Sequence, residues 1–458
     1  MSINHLFYQG DSLEVLRKLP DESVHCCVTS PPYWGLRAFG TNPQVWGGDP
    51  ECNHEWNLFA RPGISGGVND WSKELYQGQD GASNVPESQQ AFCQKCGAWR
   101  GELGLEPTPE LFVSHLVDVF REVRRVLRDD ATCWVNLGDS YNSSTQFNNH
   151  TGLDEADRYN EIVGKKWAGH RPLIKSLKPK DLVGIPWMVA FALRADGWWL
   201  RSDIIWAKSN PMPESVTDRP TKSHEYLFLL AKAERYHYDA EAIREPWDPK
   251  SVQRDQRGYH GAFLGRTRMA DPRDARDTGL DGRKGNYAGR NRRTVWTIAT
   301  QPFKEAHFAT FPQALVEPCI LAGTSEKACP KCGAPWERVV EKGKPILNAW
   351  SASGAGQYDD SIRGMRRTSL AEGSTLKHVV PRTTIGFRPT CSCPDNDGSG
   401  ACVVLDPFGG SGTVSLVAKR LGRGSIYIDL NPEYLQMALK RMGNQETLFE
   451  KHRIEVIQ

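Results

Sequence analysis

The sequence has almost no excess charge. Lys and Arg number 57 against 55 Asp and Glu, a net of +2. No global basic field therefore announces a polyanionic partner, and any such footprint has to be local. Long apolar runs are also missing. The longest, about Ile185 to Leu193, is far short of the roughly 18 residues a membrane helix needs. The opening residues, MSINHLFYQGDSLEVL, hold no basic stretch followed by an apolar one, so no secretory signal is expected. These absences exclude membrane, secreted and fibrous classes, and a cytoplasmic protein without a membrane partner is expected.

What is present is an ordinary globular composition, 39% apolar and 24% charged. The 458 residues suffice for about three domains or one elaborated domain with long insertions. Either can bury a full core without disulfide staples.

The clearest periodic block lies near the end. Val403 to Leu405 reads as a strand, Phe408 to Thr413 as a glycine-rich turn and Val414 to Leu421 as a helix. Ser425 to Ile428 reads as a second strand and Pro432 to Met442 as a last helix. This alternation predicts an α/β fold with a parallel sheet. Further forward, Ser12 to Leu19 reads as a helix and Val24 to Thr29 as a buried strand. Helical spacing from Pro109 to Leu127 precedes a strand at Thr132 to Leu137. Residues 181–199 read as a helix, followed by a strand near Ser202 to Trp206 and an apolar run at Tyr226 to Leu230. Polar stretches at 59–92, 141–160 and 344–390 look like insertions.

The turn Asp406-Pro-Phe408-Gly409-Gly410-Ser-Gly412-Thr413 lies between strand and helix, where glycines let the backbone approach a ligand. Asp429 closes the next strand, where an acid can accept from ribose hydroxyls. No lysine follows Gly412, which excludes a phosphate-binding NTPase loop, and residue 415 is serine where a dinucleotide fingerprint needs glycine. A loop that begins with an acid and has no such lysine suits a cationic adenosine-bearing ligand, S-adenosylmethionine. The alternative is a glycine-rich turn with no ligand. No Cys-x3-Cys-x2-Cys triplet is present, which disfavours radical use of that cofactor.

The second sharp feature is Thr29-Ser30-Pro31-Pro32-Tyr33-Trp34. Two consecutive prolines stiffen the strand end, so that the Ser30 hydroxyl and the Pro31 carbonyl can be fixed acceptors for an exocyclic amine. Tyr33, and also Trp34, would stack on the ring that carries it. Pro-Pro-aromatic on its own is more often a plain turn.

Together the two motifs resemble the amino-methylating DNA methyltransferases of the permuted beta class. Gly10-Asp11 resembles the family's adenine-side acidic motif, Thr29 to Trp34 its catalytic motif, and Trp206-Ala-Lys208-Ser-Asn210-Pro211, with Arg219 and His224-Glu225, its late substrate-side motif. His307-Phe308 to Pro312 resembles the opening of the cofactor half, Asp406 to Thr413 the cofactor loop and Asp429 to Tyr434 the ribose-binding motif. The resemblance implies a Rossmann-like methyltransferase sheet in permuted order, with the catalytic half at 1–235, a target-recognition region at 236–300, the cofactor half at 301–445 and a tail at 446–458. It further implies catalytic Ser30, Pro31, Pro32 and Tyr33. Asp11, Phe308, Asp406, Phe408, Gly409, Gly410, Gly412, Thr413 and Asp429 would hold S-adenosylmethionine. Asp406 would support its loop through backbone amides or reach the ligand's ammonium. Ser-Pro-Pro accompanies cytosine N4 methylation in that family, so transfer to cytosine N4 in double-stranded DNA is expected, with adenine N6 the alternative. RNA or protein amine methylation, and a catalytically inactive zinc-containing DNA-binding protein, are more distant readings. A companion restriction endonuclease is a further possible partner. No covalent intermediate is expected, because the only Pro-Cys, Pro318-Cys319, lies in an apolar helix. The whole reading requires Tyr33 and Gly410 to face one cavity.

Cysteine usage adds a separate expectation. Twelve cysteines with no export signal suggest a reducing compartment, where paired cysteines hold metal more often than they form disulfides. Cys93-x2-Cys96 and Cys329-x2-Cys332 have zinc-knuckle spacing. Cys52 and His54 would complete the first site, and Cys391 and Cys393 the second, within insertions at about 50–100 and 327–395. A redox dithiol is the rival. Cys26, Cys27, Cys133, Cys319 and Cys402 fall in apolar segments and read as core.

The local basic footprint is at 251–293, with eleven Lys/Arg against five Asp and with Tyr259, Phe263 and Tyr287 among glycines. Residues 164–180 add Lys165, Lys166, Arg171, Lys175, Lys178 and Lys180 without an acid. Both are candidates for phosphate contact; solvated loops are the alternative.

Overall fold

The computed structural model of the chain describes residues 3–36, 39, 41–58, 91–142, 174, 177–246, 290–301, 311–343, 382–443 and 452–457. In chain order the first strands are β1 (Ile3–Gln9), β2 (Val24–Thr29), β3 (Gln44–Trp46), β4 (Trp56–Leu58), β5 (Ala91–Cys93) and β6 (Trp99–Gly101). β7 (Leu127–Leu137), β8 (Trp199–Ala207), β9 (His224–Ala231) and β10 (Val295–Thr297) follow. The last are β11 (Glu337–Lys342), β12 (Arg382–Arg388), β13 (Val403–Asp406), β14 (Gly424–Asp429) and β15 (His452–Ile457). The helices are α1 (Ser12–Lys18), α2 (Pro109–Val126), α3 (Ile185–Ala195), α4 (Gln313–Gly323), α5 (Thr413–Arg420) and α6 (Pro432–Gly443).

Nine strands form one sheet in the order β10-β8-β9-β7-β2-β13-β14-β1-β15. All neighbours are parallel except those of β9, which runs against both β7 and β8. This is the α/β class expected. The early strand β2 pairs with the late strand β13, so both chain ends build the centre, which is the permuted order.

The sheet is mostly parallel because helices cover both faces. Every residue of β2 is buried. On β1 and β14 the side chains alternate. Leu6, Tyr8, Ile426 and Ile428 pack into the core that holds α1, α2 and α3, whereas Phe7 and Tyr427 pack with Leu416, Leu435 and Met442 of α5 and α6. Helix α2 illustrates the local cause. The Thr108 side chain accepts from the Leu111 N–H, Pro109 occupies the first turn, and Phe112, Leu116, Val119, Phe120 and Val123 form one buried stripe.

Several boundaries differ from expectation. β7 begins at Leu127, five residues before Thr132, because Leu127 pairs with Val24 while Arg128 turns its guanidinium onto Asp130. The helix expected over 181–199 is shorter, since the left-handed Gly184 and Gly197 bound it. β1 has no expected counterpart. The tail at 446–458 supplies β15, an edge strand paired with β1 along six positions.

The chain forms two compact units. The second, residues 239–293 and 336–390, holds the antiparallel β11-β12 ribbon and the Glu245–Arg290 bridge. The region expected at 236–300 is thus divided, with 239–293 in the second unit and β10 in the main sheet. The first unit also carries a four-stranded sheet, β3-β6-β5-β4. No described helix is long and apolar enough to cross a membrane.

Candidate active site

The loops that leave the C-terminal ends of β2, β13, β14 and β1 converge on one cavity of about 860 Å³. This is where an open parallel sheet collects its ligands. Ser30, Pro31, Pro32 and Tyr33 line it from the early half of the chain, and Phe408, Gly409, Gly410 and Thr413 from the late half. Tyr33 and Gly410 therefore face the same space, as the sequence reading requires.

The acidic residues divide by role. Asp429 lines the cavity and accepts from the Gly410 N–H at 2.7 Å and the Asn431 N–H at 2.8 Å. Burial pushes its carboxyl up to about 6. Asp11 also lines the cavity; it caps α1 by accepting from the Glu14 N–H at 3.0 Å, and burial raises its carboxyl. Asp406 does not line the cavity. Its Oδ1 accepts from the Thr29 hydroxyl at 2.7 Å and from the Phe408 N–H at 3.2 Å. Asp406 Oδ1 thus ties the glycine bend to the end of β2. Burial raises its carboxyl to about 7.

Two glycines are fixed by sterics. A Cβ on Gly409 would stand 2.2 Å from the Tyr427 ring, whose hydroxyl donates to the Gly410 carbonyl at 2.8 Å. Gly412 has φ +73 and lies 2.6 Å from Ala438 Cβ at the position a Cβ would take. It starts α5 and seats it on α6, and it does not line the cavity. Phe308 lies outside the described residues; Phe311, three positions on, lines the cavity.

Trp34 departs from expectation. It is buried, and its indole donates to the Glu106 carbonyl at 2.9 Å, so it cannot stack on a ligand. Its place is under the loop, beside a buried Glu106–His115 pair at 3.0 Å, with His115 stacked against Trp46 and Trp99.

The cavity also collects residues to which the sequence reading gave no site role. Ser12 donates to the Pro407 carbonyl at 2.6 Å, joining α1 to the glycine bend. Asn136, at the end of β7, donates to both Tyr33 Oη at 2.7 Å and Glu225 Oε2 at 2.8 Å. Lys208 is ion-paired with Glu225. Lys208 and Glu225 were visible in a motif, whereas Asn136 gave no signal because its strand reads as plain core.

Each cysteine cluster closes within the first unit. Cys52, His54, Cys93 and Cys96 bring their ligand atoms within 4.8 Å of one another, as do Cys329, Cys332, Cys391 and Cys393. Cys52 Sγ and Cys93 Sγ are 3.9 Å apart, close to the roughly 3.8 Å edge of a tetrahedron with Zn–S bonds of about 2.3 Å. Knuckle amides of Cys332 and Lys331 lower the Cys329 thiol to about 7. Both sets fit a tetrahedral thiolate-rich ion. The other cysteines, Cys26, Cys27, Cys133, Cys319 and Cys402, are buried as expected, and Cys319 Sγ donates to the Leu315 carbonyl inside α4.

Most of the basic stretch 251–293, with Tyr259, Phe263 and Tyr287, lies outside the described residues, as do Lys165, Lys166, Arg171 and Lys175. Of the described cations, Arg290 and Arg293 pair with Glu245, Lys178 with Asp181 and Lys180 with Asp218.

The chain matches the family described as DNA methylase over residues 24–329 and 391–440. It is 34% identical over 440 residues to the type II methyltransferase M.Cfr9I of Citrobacter freundii, spanning 96% of this chain and 88% of that one. With M.XycI of Xanthomonas campestris pv. cyanopsidis it shares 33% over 440 residues, again 96% and 88%. With M.SmaI of Serratia marcescens it shares 31% over 434 residues, 94% and 89%.

Proposed function

This chain belongs to the N6/N4 DNA methylase family, and from that premise we propose that it transfers a methyl group from S-adenosylmethionine to the N4 amine of a cytosine in duplex DNA. The observation that carries the reading is the shared cavity: the Ser30-Pro31-Pro32-Tyr33 corner and the glycine bend with Asp429 line one space. The type II relatives suggest a place in a restriction-modification system beside a cognate endonuclease.

The cofactor supplies an electrophilic methyl on a sulfonium centre. The chain's own residues do the rest. Asp429, with each carboxylate oxygen held by one amide, keeps lone pairs for ribose hydroxyls, and Asp11 stands at the neighbouring strand end. Phe408 flanks the site, and Gly409 and Gly410 leave room for close backbone approach. Ser30 Oγ and the Pro31 carbonyl accept the amine's two N–H bonds. That draws the nitrogen lone pair out of the ring and aims it at the methyl group, so positioning provides most of the rate. The base must leave the duplex to arrive there, and Tyr33, anchored through its hydroxyl, offers a fixed ring to receive it. Cys319, hydrogen-bonded inside α4, is no nucleophile, and the transfer is direct.

Serine at position 30 favours cytosine over adenine. The basic stretch at 251–293 would contact phosphates, and each cysteine cluster would hold a structural zinc that folds its loop. The test is nucleoside analysis of DNA from cells expressing the protein. N4-methylcytosine at a fixed sequence is expected; N6-methyladenine alone would overturn the cytosine reading.

A further inference from the structure

Three strand ends meet behind the Ser30 corner. β7 is hydrogen-bonded to β2 on one side and β9 on the other, which brings Asn136, Tyr33 and Glu225 within contact. Donor and acceptor arithmetic fixes the direction of every bond among them. The Asn136 amide donates to Tyr33 Oη at 2.7 Å and to Glu225 Oε2 at 2.8 Å, with a longer contact to Ser30 Oγ at 3.5 Å. The reversed amide would aim its oxygen at a carboxylate. In the arrangement present, Asn136 Oδ1 is left buried without a partner, a cost borne to keep two donors facing the pair. Tyr33 has one hydrogen, and it goes to Glu225 Oε2 at 2.7 Å. Its remaining lone pair receives the Ser30 hydroxyl at 3.4 Å. Lys208 holds the other carboxylate oxygen. Burial and the Glu225 charge keep the Tyr33 phenol well above its ordinary range, so it serves as a neutral hydroxyl. The chain Ser30 to Tyr33 to Glu225 therefore runs one way and ends on a carboxylate.

We propose that Ser30, Tyr33 and Glu225 form a proton relay that removes the proton an alkylated amine must lose, with Glu225 as its end. The inference rests on the amine-methylation reading above and holds for either base. The nitrogen lone pair forms the new N–C bond while the methyl–sulfur bond breaks with its electrons going to sulfur. The nitrogen then carries one proton too many. That proton passes to Ser30 Oγ, the Ser30 proton to Tyr33 Oη, and the Tyr33 proton to Glu225 Oε2. A neutral methylated amine, two restored hydroxyls and a neutral carboxyl result. Glu225 touches no reacting atom, so it is a positioning residue whose task is to hold a proton.

The test compares single-turnover rates of Glu225→Gln, Glu225→Asp, Tyr33→Phe and the Gln/Phe double variant on cognate duplex, with cofactor and DNA affinities measured alongside. Gln keeps the shape and accepts the Tyr33 bond but cannot take up the proton, and Phe keeps the ring. The rate is expected to fall about 10²- to 10³-fold in Glu225→Gln and in Tyr33→Phe at unchanged affinities. Asp should restore most of the Glu225 loss, and the double variant should be no slower than the slower single one. If Glu225→Gln does not fold, Tyr33→Phe decides alone. Either folded variant within threefold of wild type overturns the relay, as does a loss confined to affinity. If the wild-type protein yields no methylated amine in DNA, the transfer reading falls and the relay with it. If it does and the variants keep pace, the relay alone falls.

Discussion

The Thr29 hydroxyl donates to Asp406 Oδ1 across 2.7 Å, joining residues 377 positions apart in the chain. Thr29 is the last residue of the strand that leads into Ser30, and Asp406 is the last of the strand that leads into the glycine bend. This bond ties the ends of two strands that the β2–β13 ladder already holds side by side, just before the loops that line the cavity.

The pH dependence of this link is testable. Burial lifts the Asp406 carboxyl to about 7, against an ordinary 3.8. Between those values the unfolded chain has released the proton and the folded chain still holds it. The folded state therefore loses relative stability as pH rises through that window, and the penalty is complete above about 7. Asp406→Asn is neutral throughout and escapes it. Its melting temperature relative to wild type is expected to climb between about pH 5 and pH 8; a difference that does not vary with pH would show that Asp406 is already ionised at the lower end.

On the proposed mechanism, removing the Ser30 hydroxyl should separate chemistry from cofactor binding. Ser30→Ala leaves Asp429, Asp11 and the glycine bend intact, so cofactor affinity by calorimetry should stay within about twofold while turnover drops on the order of 10²-fold. A variant with full turnover would remove Ser30 from the mechanism.

Filling the glycine bend should do the reverse. Gly409→Ala places a methyl 2.2 Å from the Tyr427 ring, an overpacking cost of about 1–3 kcal/mol, and displaces the backbone beside Asp429. Lower thermal stability and a weaker cofactor complex are both expected. Gly443→Ala, with nothing within 4 Å of its Cβ, is the control that should change neither.

Metal content tests the cysteine clusters. Protein purified without added metal is expected to carry two zinc ions per chain by elemental analysis, one for each group of four ligands. Cys96→Ser and Cys332→Ser should each lose one. A metal-free, fully folded protein would leave both clusters as reduced thiols.

The buried Glu106–His115 bond braces Trp34 beneath the Ser30–Tyr33 corner. Breaking it with Glu106→Ala leaves His115 short of a partner between two indoles, at a cost of about 1–3 kcal/mol. Urea denaturation reads this directly, and a change under about 0.5 kcal/mol would fall within the scatter of surface substitutions.

Periodicity, turn chemistry and residue spacing determined a great deal locally. The α/β class, β2, α2, the β13-loop-α5-β14-α6 block, the Ser-Pro-Pro-Tyr corner, the glycine bend and both sets of four metal-type ligands were all legible, because each is a short-range pattern. Edge strands were not. β1 and β15 hold together by pairing with each other and, for β1, with β14, and a six-residue strand whose residues 454–457 are exposed or half-exposed carries little local signal. Nor was the split between Asp429, which faces the cavity, and Asp406, which is sealed beneath it. Both are acids at strand ends, and only the approach of Thr29 separates them.

Asn136 shows the limit most plainly. Nothing in its own segment distinguishes it from core, and its bonds to Tyr33 and Glu225 exist only because β7 lies between β2 and β9. The order of strands in a sheet is decided by which faces find cover and which ladders close, over separations of hundreds of residues. The sequence supplied the chemical groups, and the tertiary structure decided which of them share a hydrogen bond.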